Sequence, residues 1–258
     1  MLRFSEVNRV FATLIVLALL MDYSLGISGW VYPILIGFWA TLTVIGSFHI
    51  RWNYHLEALH NNKNTRNDWV AITFDDGPHP DFTPQVLKLL SRYNAKATFF
   101  CIGKQVAQHP DIVKEIIAEG HTLGNHTYSH SKTFGFLSTE KVVEELQRTR
   151  ETIQQLTGLD SILYRPAFGV TNPSIGSAVD QLGLQTIGWS IRSLDTTNRS
   201  KMTILHRITH RLKRGDIILL HDTSAKTVEV LEQLLLFLQN NNMRSITVDQ
   251  LLEIEAYA

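Results

Sequence analysis

Beyond residue 68 the chain alternates short apolar runs with longer amphipathic segments, and this alternation restricts its fold more than any other feature. The apolar runs are rich in β-branched and aromatic residues and include VAITF, KATFFCI, TIGWSI and DIILLHD. Between them lie segments with helical apolar spacing, such as PQVLKLLSRY and TEKVVEELQRTRETIQQL. Repeated strand–helix units predict a parallel sheet buried on both faces, and enough of them can close into a barrel. We therefore predict an α/β fold.

The N-terminal part of the chain has a different character, because residues 10–21 and 23–50 contain no charged side chain. The second run, over residues 26–48, exceeds the roughly 20 residues that cross a hydrocarbon core. The first run is shorter and resembles the core of a signal peptide, but no good cleavage site follows it. We therefore prefer a hairpin of two transmembrane helices that turns near residues 22–29.

The basic residues near the hairpin predict its orientation. None lies in the turn, and the outer ends carry Arg3, Arg9, Arg51, Lys63 and Arg66. The positive-inside rule then places both termini in the cytoplasm. If only the second run spans the membrane, the domain that follows it lies outside. The preferred organisation is an anchor in the bacterial cytoplasmic membrane (1–54), a polar, Asn-rich linker (55–67) and an α/β domain facing the cytoplasm (68–258).

Charge and cysteine content exclude two further classes of protein. The 24 Lys and Arg residues balance 24 Asp and Glu residues, and no long basic stripe provides an electrostatic footprint for nucleic acid. The single cysteine, Cys101, excludes an intramolecular disulfide framework and a multi-cysteine zinc site.

Four polar clusters interrupt the apolar pattern at the ends of predicted strands, where the active sites of parallel barrels lie. These clusters are DDGP, NHTYSH, YRPAFG and LLHD. His126 and His130 are four positions apart, so both imidazoles lie on one side of a turn or compact loop. Two histidines and a carboxylate with an open position are typical of a catalytic zinc or related divalent site. The histidine pair alone is weak evidence, and a nearby Asp76 strengthens it.

The adjacent carboxylates Asp75 and Asp76 should raise each other's proton affinity. Successive residues at a strand end point in different directions, and Gly77 and Pro78 end the strand immediately afterwards. One carboxylate can therefore bind a metal while its neighbour faces the reacting water. By itself, however, the tetrapeptide is more typical of a simple turn.

These clusters, in this order, resemble the NodB-homology polysaccharide deacetylases of carbohydrate esterase family four, over residues 68–252. The resemblance implies a distorted (β/α) barrel. TFDDGP resembles the first motif of that family, which implies that Asp75 is the general base and Asp76 a metal ligand. HTYSH resembles the second motif, which implies that His126 and His130 are the other ligands. The implied cofactor is one divalent metal, zinc, with cobalt, manganese and nickel as alternatives.

Two more clusters extend the resemblance. RPAFG resembles the third motif, which implies that Arg165 holds the base carboxylate ionised and that a backbone amide near Phe168 contributes to the oxyanion hole. LLHD resembles the fifth motif, which implies that Leu219 lines the acetyl pocket and that His221 is the general acid.

The fourth motif departs from the family pattern D-x-x-D-W. Here WSIRSLDTT places Arg192 at the first Asp and Thr196 at the Trp. Asp195 keeps the second position, whose carboxylate in the family orients and charges the acid histidine. Trp189 is a candidate for the pocket wall, although a buried strand aromatic is the plainer interpretation.

The resemblance implies metal-assisted hydrolysis of an N-acetyl group on an amino sugar, in a glycan or a lipid-linked sugar. The altered fourth motif keeps two alternatives open: a deformylase or amidase acting on another acyl group, and a non-catalytic glycan-binding scaffold. The expected partners are the N-acetylated sugar and the membrane, with a lipid-linked substrate if the domain faces the cytoplasm.

Overall fold

The computed structural model describes residues 3–258, and this part of the chain contains ten α-helices and nine β-strands. The helices are α1 (Phe4–Leu25), α2 (Val31–Phe48), α3 (Thr83–Arg92), α4 (Gly103–Gln108), α5 (Pro110–Ala118), α6 (Thr139–Thr157), α7 (Pro173–Leu182), α8 (Lys201–Thr209), α9 (Ala225–Asn240) and α10 (Val248–Leu252). The strands are β1 (Ala58–Leu59), β2 (Trp69–Asp75), β3 (Ala97–Cys101), β4 (Thr122–Asn125), β5 (Leu163–Tyr164), β6 (Gln185–Ile187), β7 (Ile191–Arg192), β8 (Ile217–His221) and β9 (Arg244–Ser245). Short 3-10 turns occupy Ile50–Trp52, Phe134–Phe136 and Ala167–Gly169.

The strands form one parallel sheet in the order β1-β6-β5-β4-β3-β2-β8-β7, with β9 paired to the start of β2. Helices connect the successive strands from β2 to β6 and from β7 to β9, which confirms the predicted (β/α) barrel. The barrel is distorted because the apolar run TIGWSI, predicted as one strand, divides into β6 and β7. β6 pairs with β5, whereas β7 pairs with β8 on the other side of the opening.

Alternation along β2 decides which of its side chains enter the barrel. The even-numbered side chains from Val70 to Phe74 pack in the apolar cluster between the sheet and its helices. Ala71 instead packs with Phe100 in the cluster inside the barrel. Side chains two positions apart on a strand face the same way, so Asp75 points to the barrel interior at its carboxyl edge.

Helices α1 and α2 form an antiparallel hairpin that is largely separate from the barrel core. The indole nitrogen of Trp39 donates a hydrogen bond to the side chain of Asn8, 2.8 Å away, and joins the two helices. Both helices are long and apolar enough to cross a membrane, and only 17% and 6% of their most apolar 18-residue stretches are buried. Apolar helices in a protein core would be covered on most sides, and these are not.

Residues 55–67, predicted as a linker between the hairpin and the barrel, contact the sheet. β1 extends the sheet beside β6, and Asn61 forms an antiparallel bridge to Asp216 at the start of β8. The side chain of Asn62 donates a hydrogen bond to the carbonyl of Leu251, 2.8 Å away. Polar residues of this segment therefore form hydrogen bonds to the barrel across its open edge.

Candidate active site

The carboxyl ends of β2 and β8 bring two ionisable side chains together. Asp75 is the last residue of β2, only 3% exposed, and His221 is its register partner at the end of β8. Register partners on parallel strands face the same side of a sheet, so both side chains open towards one mouth of the barrel. The sequence predicted both residues as catalytic, and the structure brings them side by side.

Asp76, His126 and His130 form a compact set of possible metal ligands. One ligand atom from each lies within 4.8 Å of the others. The Nε2 atoms of His126 and His130 are each 3.4 Å from Oδ1 of Asp76. Among residues 3–258 no second cluster of three His, Cys, Asp or Glu side chains comes this close. These are the three residues predicted as metal ligands.

A backbone contact fixes the tautomer of His126. Its Nδ1 lies 2.9 Å from the carbonyl oxygen of Arg165, which can only accept a hydrogen bond. Nδ1 therefore carries a proton, and Nε2 is the ring atom that faces Asp76. Outer hydrogen bonds of this kind orient ligating histidines. Two imidazoles and one carboxylate fit zinc or a similar divalent ion and leave a coordination position open.

The local electrostatics keep these groups in metal-binding forms. Burial by itself raises the pKa of Asp76, but the hydrogen bond and charge of His126, with the charges of His221 and His130, lower it to about 2. Burial and the charge of His126 lower the pKa of His130. Metal ligands must be deprotonated, so a carboxylate and a neutral imidazole are the forms that the site requires.

His221 is held in the opposite form by Asp195. Its Nδ1 donates a hydrogen bond to Oδ1 of Asp195, 2.9 Å away, and its backbone N–H donates to Oδ2 at 2.8 Å. Burial by itself lowers the pKa of His221, but the hydrogen bond and charge of Asp195 raise it to about 9. His221 is therefore a proton donor near neutral pH.

Two hydroxyl groups that the sequence analysis missed complete the environment of Asp195. The Ser193 hydroxyl donates to its Oδ1, and the Thr227 hydroxyl donates to its Oδ2, both at 2.8 Å. Ser193 lies two positions before Asp195, a spacing typical of a local turn, and could have been found. Thr227 lies 32 positions away in α9, and no local pattern connects it to the site.

Arg165 is fully buried behind Asp75 and shares its guanidinium among several acceptors. Nη1 donates to Asp75 at 2.8 Å and to the hydroxyl of Thr73 at 2.6 Å. Nε and Nη2 donate to the carbonyls of Ile187 and Gly188, at 3.1 and 2.9 Å. Backbone carbonyls thus accept hydrogen bonds from the part of the guanidinium that does not reach Asp75. Thr73 is a further residue that the sequence analysis missed, two positions before Asp75 on the same strand face.

The residues predicted to contact substrate lie at different depths. The ring of Phe168 is half-exposed at the rim, with its centroid 4.5 Å from that of His130. Trp189 is mostly buried and lies against Gly169, where an added Cβ would collide with the indole. Leu219 is 2% exposed, beneath the mouth. Their contacts with substrate remain predictions.

The loops around the site contain strained backbone. Five non-glycine residues there have positive φ: Asp76, Thr127, His130, Phe168 and Leu194. Such conformations are costly and concentrate at functional sites, where the surrounding structure enforces them. Here the five residues follow four different strands. The strained positions therefore lie in the separate loops that meet at the site.

Asp222, next to His221, supports the DDGP turn from below. Its carboxyl group is fully buried and accepts a hydrogen bond from the hydroxyl of Thr83. A Cβ added to Gly77 would collide with this carboxyl group. Burial raises the pKa of Asp222 to about 7. The sequence analysis gave Asp222 no role.

Comparison with known sequences identifies the family. Residues 62–187 match the family model described as polysaccharide deacetylase. The chain is 37% identical over 188 residues to a peptidoglycan-N-acetylglucosamine deacetylase of Bacillus cereus, covering 71% of this chain and 87% of that protein. It is 33% identical over 189 residues to the peptidoglycan-N-acetylglucosamine deacetylase PgdA of Listeria monocytogenes, covering 73% of this chain but 40% of that longer protein.

Comparison with solved structures agrees with the sequence match. A crystal structure of a peptidoglycan N-acetylglucosamine deacetylase superposes with a TM-score of 0.71 at 30% identity, covering 78% of this chain and 94% of that one. The predicted resemblance and the predicted class of enzyme are thereby confirmed. The chain belongs to the polysaccharide deacetylase family, carbohydrate esterase family four.

Proposed function

We propose that the protein is a membrane-anchored, metal-dependent hydrolase that removes the N-acetyl group from an amino sugar in a glycan or a lipid-linked sugar. The observation that carries the proposal is the pairing of a carboxylate and a protonated histidine, Asp75 and His221, beside a compact Asp–His–His ligand set. The relatives named as peptidoglycan-N-acetylglucosamine deacetylases support an N-acetylated amino sugar as the substrate.

Asp76, His126 and His130 would hold the metal. A divalent ion bound there supplies Lewis-acid polarisation of the acetyl carbonyl and lowers the pKa of water. Zinc suits the two imidazoles and one carboxylate best, with cobalt, manganese and nickel as alternatives.

Asp75 is the general base. Its carboxylate accepts a proton from the attacking water while the oxygen of that water bonds to the acetyl carbon. Arg165 holds the carboxylate in place through the hydrogen bond of its Nη1. A backbone N–H near Phe168 donates a hydrogen bond to the developing oxyanion, an interaction typically worth about 3 kcal/mol.

His221 is the general acid. Its Nε2 proton passes to the amide nitrogen as the carbon–nitrogen bond breaks, so the products are acetate and a free amine. Asp195 accepts the hydrogen bond from Nδ1 and keeps the imidazole charged until that transfer. The acid thus begins the reaction protonated, as its role requires.

The anchor is the α1–α2 hairpin, within residues 1–54. Its exposed apolar surface supports insertion in a bilayer, and the basic residues at its outer ends support a cytoplasmic position for the domain over residues 68–258. Residues 55–67 join the two parts through the contacts of β1 and Asn62 with the barrel.

A second candidate reaction removes a different acyl group, such as formyl. The fourth motif favours this candidate, because Arg192 stands where the family has an acid, and Thr196 replaces the Trp whose loss reshapes the acyl pocket. Release of formate in place of acetate would identify it.

The proposal is tested with the detergent-purified, zinc-loaded protein. Acetate release is measured from soluble N-acetylglucosamine oligomers and from a lipid-linked N-acetylhexosamine. We expect acetate from the wild type and none from the Asp75→Asn variant. Failure of the folded, metal-loaded protein to release either acid would contradict hydrolysis and favour a non-catalytic scaffold.

A further inference from the structure

The end of the second hydrophobic helix is bonded directly to the rim of the site. The backbone N–H of Thr171 donates to the carbonyl of Ser47 at 2.9 Å, in the last turn of α2. Thr171 is three residues from Phe168, whose ring lies against that of His130. Three residues span at most about 11 Å. The ligand set therefore lies close to the end of α2.

The length of α2 locates this end relative to a bilayer. Its 18 residues span about 27 Å, close to the hydrocarbon thickness of about 30 Å. A helix of this length must use its whole extent to cross, so Ser47 and Phe48 lie at the hydrocarbon boundary. The mouth of the site then lies at the adjoining headgroup layer.

An exposed aromatic side chain stands beside this boundary. The side chain of Asn172, next to Thr171, donates to the carbonyl of Gly135 at 2.7 Å. The neighbouring Phe136 is 90% exposed, and Phe48 at the helix end is 63% exposed. Exposed apolar side chains that adjoin a membrane-spanning segment suit contact with the lipid interface.

Arg192 contributes a positive charge to the same mouth. It is the register partner of Leu219, and Leu219 packs inside the barrel with Trp189. Register partners face the same side of the sheet, so Arg192 also faces the interior. Its Cζ lies 5.7 Å from the centroid of the Trp189 ring, and its side chain is exposed. Within residues 3–258 it forms no salt bridge.

A second arginine, Arg51, contacts the same segment nearer the start of β8, because Ser190 is bonded to Ile217. Arg51 follows Phe48 by three residues, and its Nη1 lies 3.5 Å from the carbonyl of Ser190, next to Trp189. It too has no acidic partner in the described part of the chain. Guanidinium groups bind phosphate oxygens through paired, charge-assisted hydrogen bonds. Arg192, exposed beside Trp189, is therefore the guanidinium placed at the mouth.

We propose that the substrate is an N-acetylated sugar joined through a phosphate ester to a membrane lipid. The sugar occupies the Asp–His–His site, Arg192 binds the phosphate, and the lipid chain enters the bilayer beside Phe136. This inference rests on the proposed N-deacetylation and specifies its substrate class.

The test compares three substrates with the full-length, zinc-loaded protein in lipid nanodiscs. They are a lipid-linked N-acetylglucosamine phosphate, soluble N-acetylglucosamine 1-phosphate and an N-acetylglucosamine tetramer without phosphate. We expect kcat/KM to decrease in that order. The soluble phosphate separates recognition of phosphate from recognition of the lipid.

Variants separate recognition of the phosphate from recognition of the lipid. Arg192→Ala is expected to lower kcat/KM for both phosphorylated substrates about tenfold more than for the tetramer, mainly through KM, and Arg192→Lys to restore part of the loss. Phe136→Ser is expected to affect the lipid-linked substrate most. Arg199→Ala removes an exposed arginine from the same region and is the matched control.

Binding of the lipid-linked sugar to the Asp75→Asn protein provides a measurement that does not require turnover. If the tetramer is hydrolysed and the lipid-linked sugar is not, the lipid-phosphate assignment is overturned while N-deacetylation stands. If no substrate releases acetate, the proposed N-deacetylation is contradicted. The binding measurement then tests the lipid-phosphate assignment by itself. Weaker binding in Arg192→Ala than in Arg199→Ala supports it, and equal binding overturns it.

Discussion

Asp75 and His221 are register partners at the ends of neighbouring strands, and each is bonded to its own buried partner of opposite charge. Arg165 donates to Asp75, and Asp195 accepts from His221. The two proposed proton-transfer groups therefore lie side by side without sharing a hydrogen-bond partner. This separation allows each group to be altered without removing the support of the other.

Asp75→Asn is expected to lower kcat about 10²- to 10⁴-fold, because the amide has the shape of the carboxylate but cannot accept the proton. Metal content should remain near one equivalent, since Asp75 is outside the ligand set. Acetate release and elemental analysis measure the two effects. Asp81→Asn, an exposed change a few residues away, is the control. Near-normal turnover by Asp75→Asn would remove this residue from the base role.

Removal of the metal is expected to abolish acetate release, and one equivalent of zinc should restore it. His126→Ala should not recover, because both a ligand and its hydrogen bond to the Arg165 carbonyl are lost. His109→Ala, outside the ligand set, is the control. Metal content, activity and thermal midpoint are measured together, since a ligand that binds only the folded state raises the midpoint. Full activity after complete chelation would contradict a metal-dependent reaction.

The pH dependence of kcat should report the acid. The pKa of His221 is raised to about 9, so the imidazole is protonated at neutral pH and activity falls as pH rises through that value. In Asp195→Asn the charge that raises this pKa is gone, and the descending limb should move towards or below the ordinary value of about 6.5. Ser193→Ala keeps the carboxylate and should move the limb much less. An unchanged limb in Asp195→Asn would mean that another group supplies the proton.

Gly77→Ala is expected to disturb the site from beneath. The added methyl group would collide with the carboxyl group of Asp222, and overpacking of this kind costs about 1–3 kcal/mol of stability. Because Gly77 follows Asp76, we also expect weaker metal binding. The double variant Gly77→Ala/Asp222→Ala removes the collision and should recover part of the metal affinity, measured by zinc titration. Strictly additive losses would show that the two positions do not interact.

The orientation of the anchor is checked by reporter fusions after Ala258. A cytoplasmic domain should give fluorescence from a green fluorescent protein fusion and no activity from an alkaline phosphatase fusion. The opposite pattern would place the catalytic domain outside and make polymers of the cell envelope accessible to it. A variant with Arg3 and Arg9 changed to Gln tests whether those charges set the orientation.

The sequence alone was sufficient for the features that depend on local pattern. Alternating strands and helices identified the parallel barrel, because the spacing of apolar residues within a segment indicates whether that segment is a helix or a strand. Uncharged runs identified the hairpin helices. The predicted ligands Asp76, His126 and His130 lie in short motifs, and turn chemistry fixes their spacing whatever the rest of the chain does.

Only the tertiary structure revealed contacts between distant segments. Thr227 reaches Asp195 across 32 positions, and Ser47 accepts a hydrogen bond from Thr171 across more than a hundred. Residues 55–67 have the composition of a linker, yet the open edge of the sheet offers them hydrogen-bond partners. Such contacts depend on where the folded chain places each segment, and no local pattern in the sequence encodes that placement.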